Sequence, residues 1–154
     1  MKQSNTGPSL GRRTLLPIAA AAAFAVAGLS GIVAAKADTV TLTAKLIPEQ
    51  GAPPTGLGAV VATYDAATLT LSWHITYSGL TGPLVAAHFH GPATPGMDAP
   101  PVIPIPPPYL NPLDGSAKLT LDQVSQLLGG LYYVNLHTAA YPNGEVRGQV
   151  NVQP

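Results

Sequence analysis

The sequence predicts an all-β domain, an antiparallel two-sheet Greek-key sandwich or partly closed barrel, with one short helix near residues 121–129. Three observations carry this. Segments of apolar–polar alternation recur after residue 38. The 17 Pro and 16 Gly among 154 residues interrupt the chain too often for long helices beyond its first 35 residues. Only the stretch from Thr120 to Gly130 combines helical spacing with a start and a stop signal.

Taken in order, Val40, Leu42, Ala44 and Leu46 alternate with Thr39, Thr41, Thr43 and Lys45, a strand with one buried face. Residues 47–58 are a loop by composition, and 59–64 form a second strand. Leu69, Leu71, Trp73, Ile75 and Tyr77 alternate with Thr70, Ser72, His74 and Thr76; Trp73 is the core anchor of this third strand. A fourth runs from Leu84 to His90, with Val85, Ala87 and Phe89 on its core side.

Residues 92–112 hold nine Pro in 21 positions. Pro lacks the ladder N–H, so an extended surface loop with polyproline character is expected, open to a protein partner. A strand near Ser116–Leu119 precedes the helix. Thr120 and Gln123 make its capping box, Leu121, Val124, Leu127 and Leu128 its apolar face, and Gly129-Gly130 its stop. Leu131–Thr138 and the alternation Val146, Gly148, Val150, Val152 are the last strands, joined through the hairpin signal Asn143-Gly144.

The two ends of the chain differ in charge. Lys2, Arg12, Arg13 and Lys36 precede residue 38, with no acidic residue among them. From Asp38 onward three basic residues face seven acidic ones, a net charge of −4. That balance argues against nucleic acid, whose binding needs clustered Lys and Arg, and against an anionic membrane surface. Residues 1–37 read as an export signal: a basic start, an uncharged run over 14–35, and the small-x-small site Ala35-Lys36-Ala37. Arg12-Arg13-Thr14-Leu15-Leu16 resembles a twin-arginine address. The run of 22 residues could alternatively span a bilayer as an anchor, but it is mostly Ala and only weakly apolar. The domain is then residues 38–154, in the periplasm or secreted, with no membrane contact once the signal is removed.

Cys is absent, which excludes disulfides, thiolate ligands and a blue-copper centre. No nucleophile elbow, no Ser-His-Asp ordering and no phosphate-cradling Gly loop stands out, so the reading leans away from an enzyme. The four histidines are the informative residues. His88 and His90 lie two apart on a strand and share one face. His137 lies on the polar side of 131–138 with Tyr133 and Asn135. Three imidazoles from two strands suit a transition metal; copper leads and zinc follows.

Such a site needs partners that fix the imidazole tautomers, and Asn135, Thr138, Glu145 and backbone carbonyls are the candidates. The alternative is that the three histidines brace loops through hydrogen bonds to backbone, with no ion. His74, on the polar side of its strand, reads as a surface residue and otherwise as an extra ligand. Glu145 and Arg147, two apart, read as a surface ion pair, or else Arg147 stacks or forks onto a carboxylate near the histidines.

Two segments resemble a known family. Ala86-Ala87-His88-Phe89-His90-Gly91-Pro92-Ala93 is similar to the Ala-x-His-Ile-His-Gly-Pro-Ala motif of the CHRD domain, named after chordin. Tyr132-Tyr133-Val134-Asn135-Leu136-His137-Thr138, then Pro142-Asn143-Gly144-Glu145-Val146-Arg147-Gly148-Gln149, resembles the ending of that domain. The likeness spans about residues 39–152, and His88, His90 and His137 match motif positions. Trp73-His74 and the Pro-rich 100–108 stretch look particular to this chain.

The resemblance implies an extracytoplasmic β-sandwich whose molecular role is undefined. It therefore leaves two readings open: an exported binding or structural module, or a copper metalloprotein. Superoxide-dismutase-like redox activity is a sub-case of the second by analogy of fold and motif alone. That analogy is weakened by the missing Cys pair and the missing Asp- and His-rich zinc loop. Intact-mass analysis of the exported protein is expected to give a chain beginning at Asp38; a product retaining residues 1–37 would make the segment an anchor.

Overall fold

A computed structural model describes Ser4 and residues 38–49 and 51–154, so the expected export signal lies outside the described residues. Eight strands and one helix follow in order: β1 Thr39–Pro48, β2 Leu57–Asp65, β3 Thr70–Ser78, β4 Leu84–His90, β5 Pro101–Pro104, β6 Leu113–Lys118, α1 Leu121–Leu128, β7 Tyr132–Thr138 and β8 Val146–Val152. All pairings are antiparallel, in the order β5-β4-β7-β8-β1-β2-β3-β6. Strand β8 joins the two halves. Its Arg147 pairs with Ile47 of β1 on one side and with Asn135 of β7 on the other. The result is the expected all-β fold, a nearly closed sheet with one short helix. Among the described residues no helix is long and apolar enough to cross a membrane.

The alternation read from sequence becomes the core. Leu42, Leu46, Val60, Leu71 and Ile75 are buried, and their neighbours in each strand are exposed or half-buried. The halves meet where Trp73 of β3 packs on Phe89 of β4, ring centroids 5.2 Å apart. Gly115 on the neighbouring β6 makes room for that indole: a Cβ there would fall 2.6 Å from the Trp73 ring. Helix α1 has the expected capping box, with Gln123 N donating to Thr120 Oγ1 and Thr120 N to Gln123 Oε1. Leu127 is buried, but Leu121 in the first turn is exposed.

Three expectations need correction. The Pro-rich segment 92–112 is not a loop throughout. Pro101–Pro104 forms β5, and Ile103 and Ile105 are buried in the core. β5 pairs with β4 alone, at the edge of the sheet, which is where Pro costs no ladder bond. Val85 is exposed rather than in the core, because the β4–β7 register shifts between Leu84 and Ala86 and Leu84 becomes the buried residue.

Glu145 is not half of a surface ion pair. It is fully buried before β8 and accepts hydrogen bonds from Thr81 N at 2.7 Å, Thr81 Oγ1 at 2.8 Å and Thr138 Oγ1 at 2.5 Å.

Burial alone would raise the Glu145 carboxyl, but the bonds from Thr138 and Thr81 outweigh it and hold the group below its usual range. A carboxylate of that kind stabilises the fold above its unfolded pKa, and the contribution is lost as pH falls through the folded pKa. The melting temperature is expected to drop on acidification below the ordinary carboxylate range. Glu145→Gln is expected to lower stability at neutral pH by at least about 1.5 kcal/mol and to flatten that acid dependence. An unchanged acid limb in thermal melts would contradict the assignment.

Candidate metal centre

Strand β4 turns Ala87 and Phe89 into the core and puts His88 and His90 on the opposite face. Strand β7 does the same with Val134 and Leu136 inward and Tyr133, Asn135 and His137 outward. The β4–β7 register sets His88 opposite Asn135, His90 opposite Tyr133 and Ala86 opposite His137. His137 is therefore diagonal to His88 on a shared face, a spacing that imidazoles can bridge. One potential ligand atom from each of His88, His90 and His137 lies within 4.8 Å of the others. His88 Nδ1 and His137 Nε2 are 3.4 Å apart.

Each ring has its own environment. His90 is buried, and its Nδ1–H donates to the Ala99 carbonyl at 2.9 Å. Its Nε2 is buried without a partner. His137 is also buried, and its Nδ1–H donates to the Pro142 carbonyl at 3.0 Å, which leaves the Nε2 lone pair toward His88. These tautomers follow from the acceptors, since a carbonyl can only accept. His88 is half-buried. Its pKa is lowered by burial first and by neighbouring His90 second.

His137 is lowered as well; burial dominates, the Pro142 carbonyl opposes it, and His88 and His90 add to it. Both rings are neutral near pH 7, the form that ligates metal.

The face is outward from the sheet yet covered, because all seven residues of β7 are buried. A strap over residues 93–100 lies across it. Ala93 N bonds to Leu131 O, Gly91 N to Pro100 O, and Ala99 N to Tyr133 Oη at 3.2 Å. Tyr133 stacks on His90, with centroids 5.0 Å apart and planes 15° from parallel. Arg147 lies on the Tyr133 ring, its guanidinium carbon 3.7 Å from the centroid.

The same Arg147 donates to Asp98 Oδ1 and to Met97 O, each at 2.9 Å. It approaches Glu49 Oε1 at 3.3 Å, an ion pair whose angle is too poor for a hydrogen bond. Burial raises the Glu49 carboxyl, and the Arg147 charge pulls the other way.

Both segments that carry these contacts belong to one domain model, the CHRD domain, which matches residues 39–150. The chain belongs to the CHRD family. No curated protein and no solved structure matches the chain.

The CHRD motif residues divide into three groups here. His88, His90 and His137 come together. Thr138 and Glu145 form a separate buried cluster with Thr81, and neither bonds to an imidazole among the described residues. Asn135 donates to the Asn143 carbonyl at 3.3 Å and leaves Oδ1 buried and unpartnered. The imidazole partners are the Ala99 and Pro142 carbonyls, so of the anticipated tautomer-fixing groups only the backbone type is found. His74 stands outside the group, exposed on β3 and paired with Asp114 Oδ1 of β6 at 2.7 Å.

Tyr133, Met97, Asp98 and Ala99 were not among the sequence candidates. Only Tyr133 had a signal, its place on the polar side of 131–138; the strap contacts come from a remote loop.

The turn from β7 to β8 brings Pro142 O to His137, and Gly144 makes that turn fit. Its φ is +132°, and a Cβ there would lie 2.3–2.4 Å from the Asn135 amide atoms. Gly144→Ala is expected to cost about 1–3 kcal/mol, read by chemical denaturation. A variant as stable as the parent would mean that the turn can open away from Asn135.

Proposed function

We propose that this CHRD domain is an exported, non-catalytic binding module that takes one transition-metal ion at His88, His90 and His137. The observation that supports the reading most is the state of the nitrogens. His90 and His137 each spend Nδ1–H on a main-chain carbonyl and keep an Nε2 lone pair; that of His137 faces His88, and that of His90 is buried without a partner. A buried Nε2 with no partner, as in His90, is costly unless something binds it. A metal cation satisfies it, and a carbonyl on Nδ1 is the usual outer partner of a ligating histidine.

Bond lengths of about 2.0–2.1 Å put two nitrogens on a tetrahedral ion about 3.4 Å apart. The His88–His137 separation of 3.4 Å already matches this value. His88 Nδ1 lies against the lone pair of His137 Nε2, so it carries the ring hydrogen when no ion is bound. Ligation at Nδ1 moves that hydrogen to Nε2 of a ring that is only half-buried. His88 is thus the adjustable ligand and the other two are fixed. With three neutral nitrogens and no thiolate, the affinity order places Cu(II) above Zn(II), and imidazole suits both. Superoxide chemistry is not part of the proposal.

Titration of metal-free domain 38–154 with Cu(II) and Zn(II) by calorimetry is expected to show one ion per chain. His90→Ala and His137→Ala are expected to weaken binding by more than the roughly 10–100-fold typical of losing an outer partner. His74→Ala is expected to leave it unchanged. Absence of binding, or binding that survives both triad variants, would overturn the metal reading. The module would then be structural, with the histidines bracing the strap and the hairpin.

A further inference from the structure

We infer that Arg147 is a positioning residue for the histidine site: it latches the Met97–Ala99 strap so that the Ala99 carbonyl holds the hydrogen of His90 on Nδ1. Its consequence for metal rests on the reading above; the positioning itself does not.

The chain of contacts is short and each link is specific. Arg147 projects from β8, a strand shared by both halves of the sheet, so its base is fixed. Its guanidinium forks, with one terminal nitrogen on Asp98 Oδ1 and the other on Met97 O. These are two consecutive residues of the strap, and Ala99 is the next. The Ala99 carbonyl takes His90 Nδ1–H at 2.9 Å and, more weakly, Tyr133 Oη–H at 3.3 Å.

The same guanidinium lies over the Tyr133 ring, and Tyr133 in turn stacks against His90. Arg147 therefore sets both the acceptor for His90 and the ring that His90 lies on. It reaches no imidazole itself, so it acts through Ala99 and Tyr133.

The geometry needs an arginine. A planar fork can bond a carboxylate and a carbonyl while stacking on an aromatic ring. Lysine offers a point charge that satisfies one partner at a time and does not stack flat. Outside the latch, the strap is held at its ends, by Ala93 N on Leu131 O and Gly91 N on Pro100 O, and at Ala99 by Tyr133 Oη, while its middle has little else. Asp98 is 90 % exposed, and the Met97 N bond to Thr94 O only closes a turn within the strap. Without Arg147 the Met97–Asp98 stretch loses its bonds to β8, and the Ala99 carbonyl is held over His90 only through Tyr133 Oη and the neighbouring Gly91–Pro100 bond. A neutral imidazole with no fixed partner populates both tautomers. In the second tautomer Nε2 carries the hydrogen and cannot ligate.

The test is long-range 15N–1H correlation of the imidazoles in metal-free protein, in the parent and in Arg147→Ala, Arg147→Lys and Asp98→Asn. The parent is expected to show His90 as the Nδ1–H tautomer. Arg147→Ala is expected to show a substantial Nε2–H population at His90, with His137 unchanged because Pro142 holds it. Arg147→Lys is expected to show a smaller change in the same direction. Asp98→Asn, which removes the charge but keeps an acceptor at one exposed contact, keeps the test available if Arg147→Ala fails to fold, and is expected to shift His90 least.

In parallel Zn(II) titrations, Arg147→Ala is expected to bind about 10–100-fold more weakly than the parent. If the parent binds no Zn(II) but the His90 tautomer shifts, the metal reading fails and the positioning role stands. A His90 tautomer unchanged in every folded variant would overturn the positioning role, whatever the metal result.

Discussion

Two main-chain carbonyls, those of Ala99 and Pro142, decide what the histidine cluster can do. A neutral imidazole can carry its hydrogen on either nitrogen, and three such rings crowded together could satisfy one another. Fixing two of them at Nδ1 removes that freedom and leaves both with an Nε2 lone pair, that of His137 facing His88. Because the acceptors are backbone, their positions are set by the paths of two loops. The strap over β4 and β7 delivers Ala99, and the β7–β8 turn delivers Pro142. The rings come from strands, but their chemical state comes from loops.

The same constraint accounts for how a polar face comes to be buried. Tyr133, Asn135 and His137 point away from the apolar core, yet the strap closes over them. Burying polar groups is unfavourable unless they are hydrogen-bonded. Tyr133 and His137 have partners, and Arg147 brings a desolvated charge that is matched by Glu49 and Asp98. Of the buried side-chain atoms left without a hydrogen bond among the described residues, His90 Nε2 and Asn135 Oδ1 lie on this face, Glu49 Oε1 lies beside Arg147, and Trp73 Nε1 lies in the core. At Glu145 the polar burial is resolved, with three donors around one carboxylate.

Much of this was legible in the residues, and the limits were physical. Period-two alternation located β1, β3, β4 and β7, and it placed His88 with His90 and His137 with Tyr133 on outward faces. It failed at Val85, where a bulge changes the phase, and at Glu145, which lies in a turn where alternation has no meaning. The rule against Pro in strands rejected β5 because it was applied as if every strand were central; β5 is an edge. Pairing of β4 with β7 joins segments about fifty residues apart, and no local pattern encodes that register. The partners of Arg147 are as remote at Met97–Asp98 and more remote at Glu49, so sequence left its two readings undecided. Motif likeness reached the right three histidines but carried no information on which nitrogen each would offer.

The central claim is that those three nitrogens hold one ion. Anomalous scattering at the zinc edge from crystals grown with Zn(II) tests it most directly. The account predicts a single strong peak within about 2.0–2.1 Å of one nitrogen from each of His88, His90 and His137. An empty cluster, with zinc instead on the exposed His74–Asp114 pair or nowhere on the domain, would contradict it.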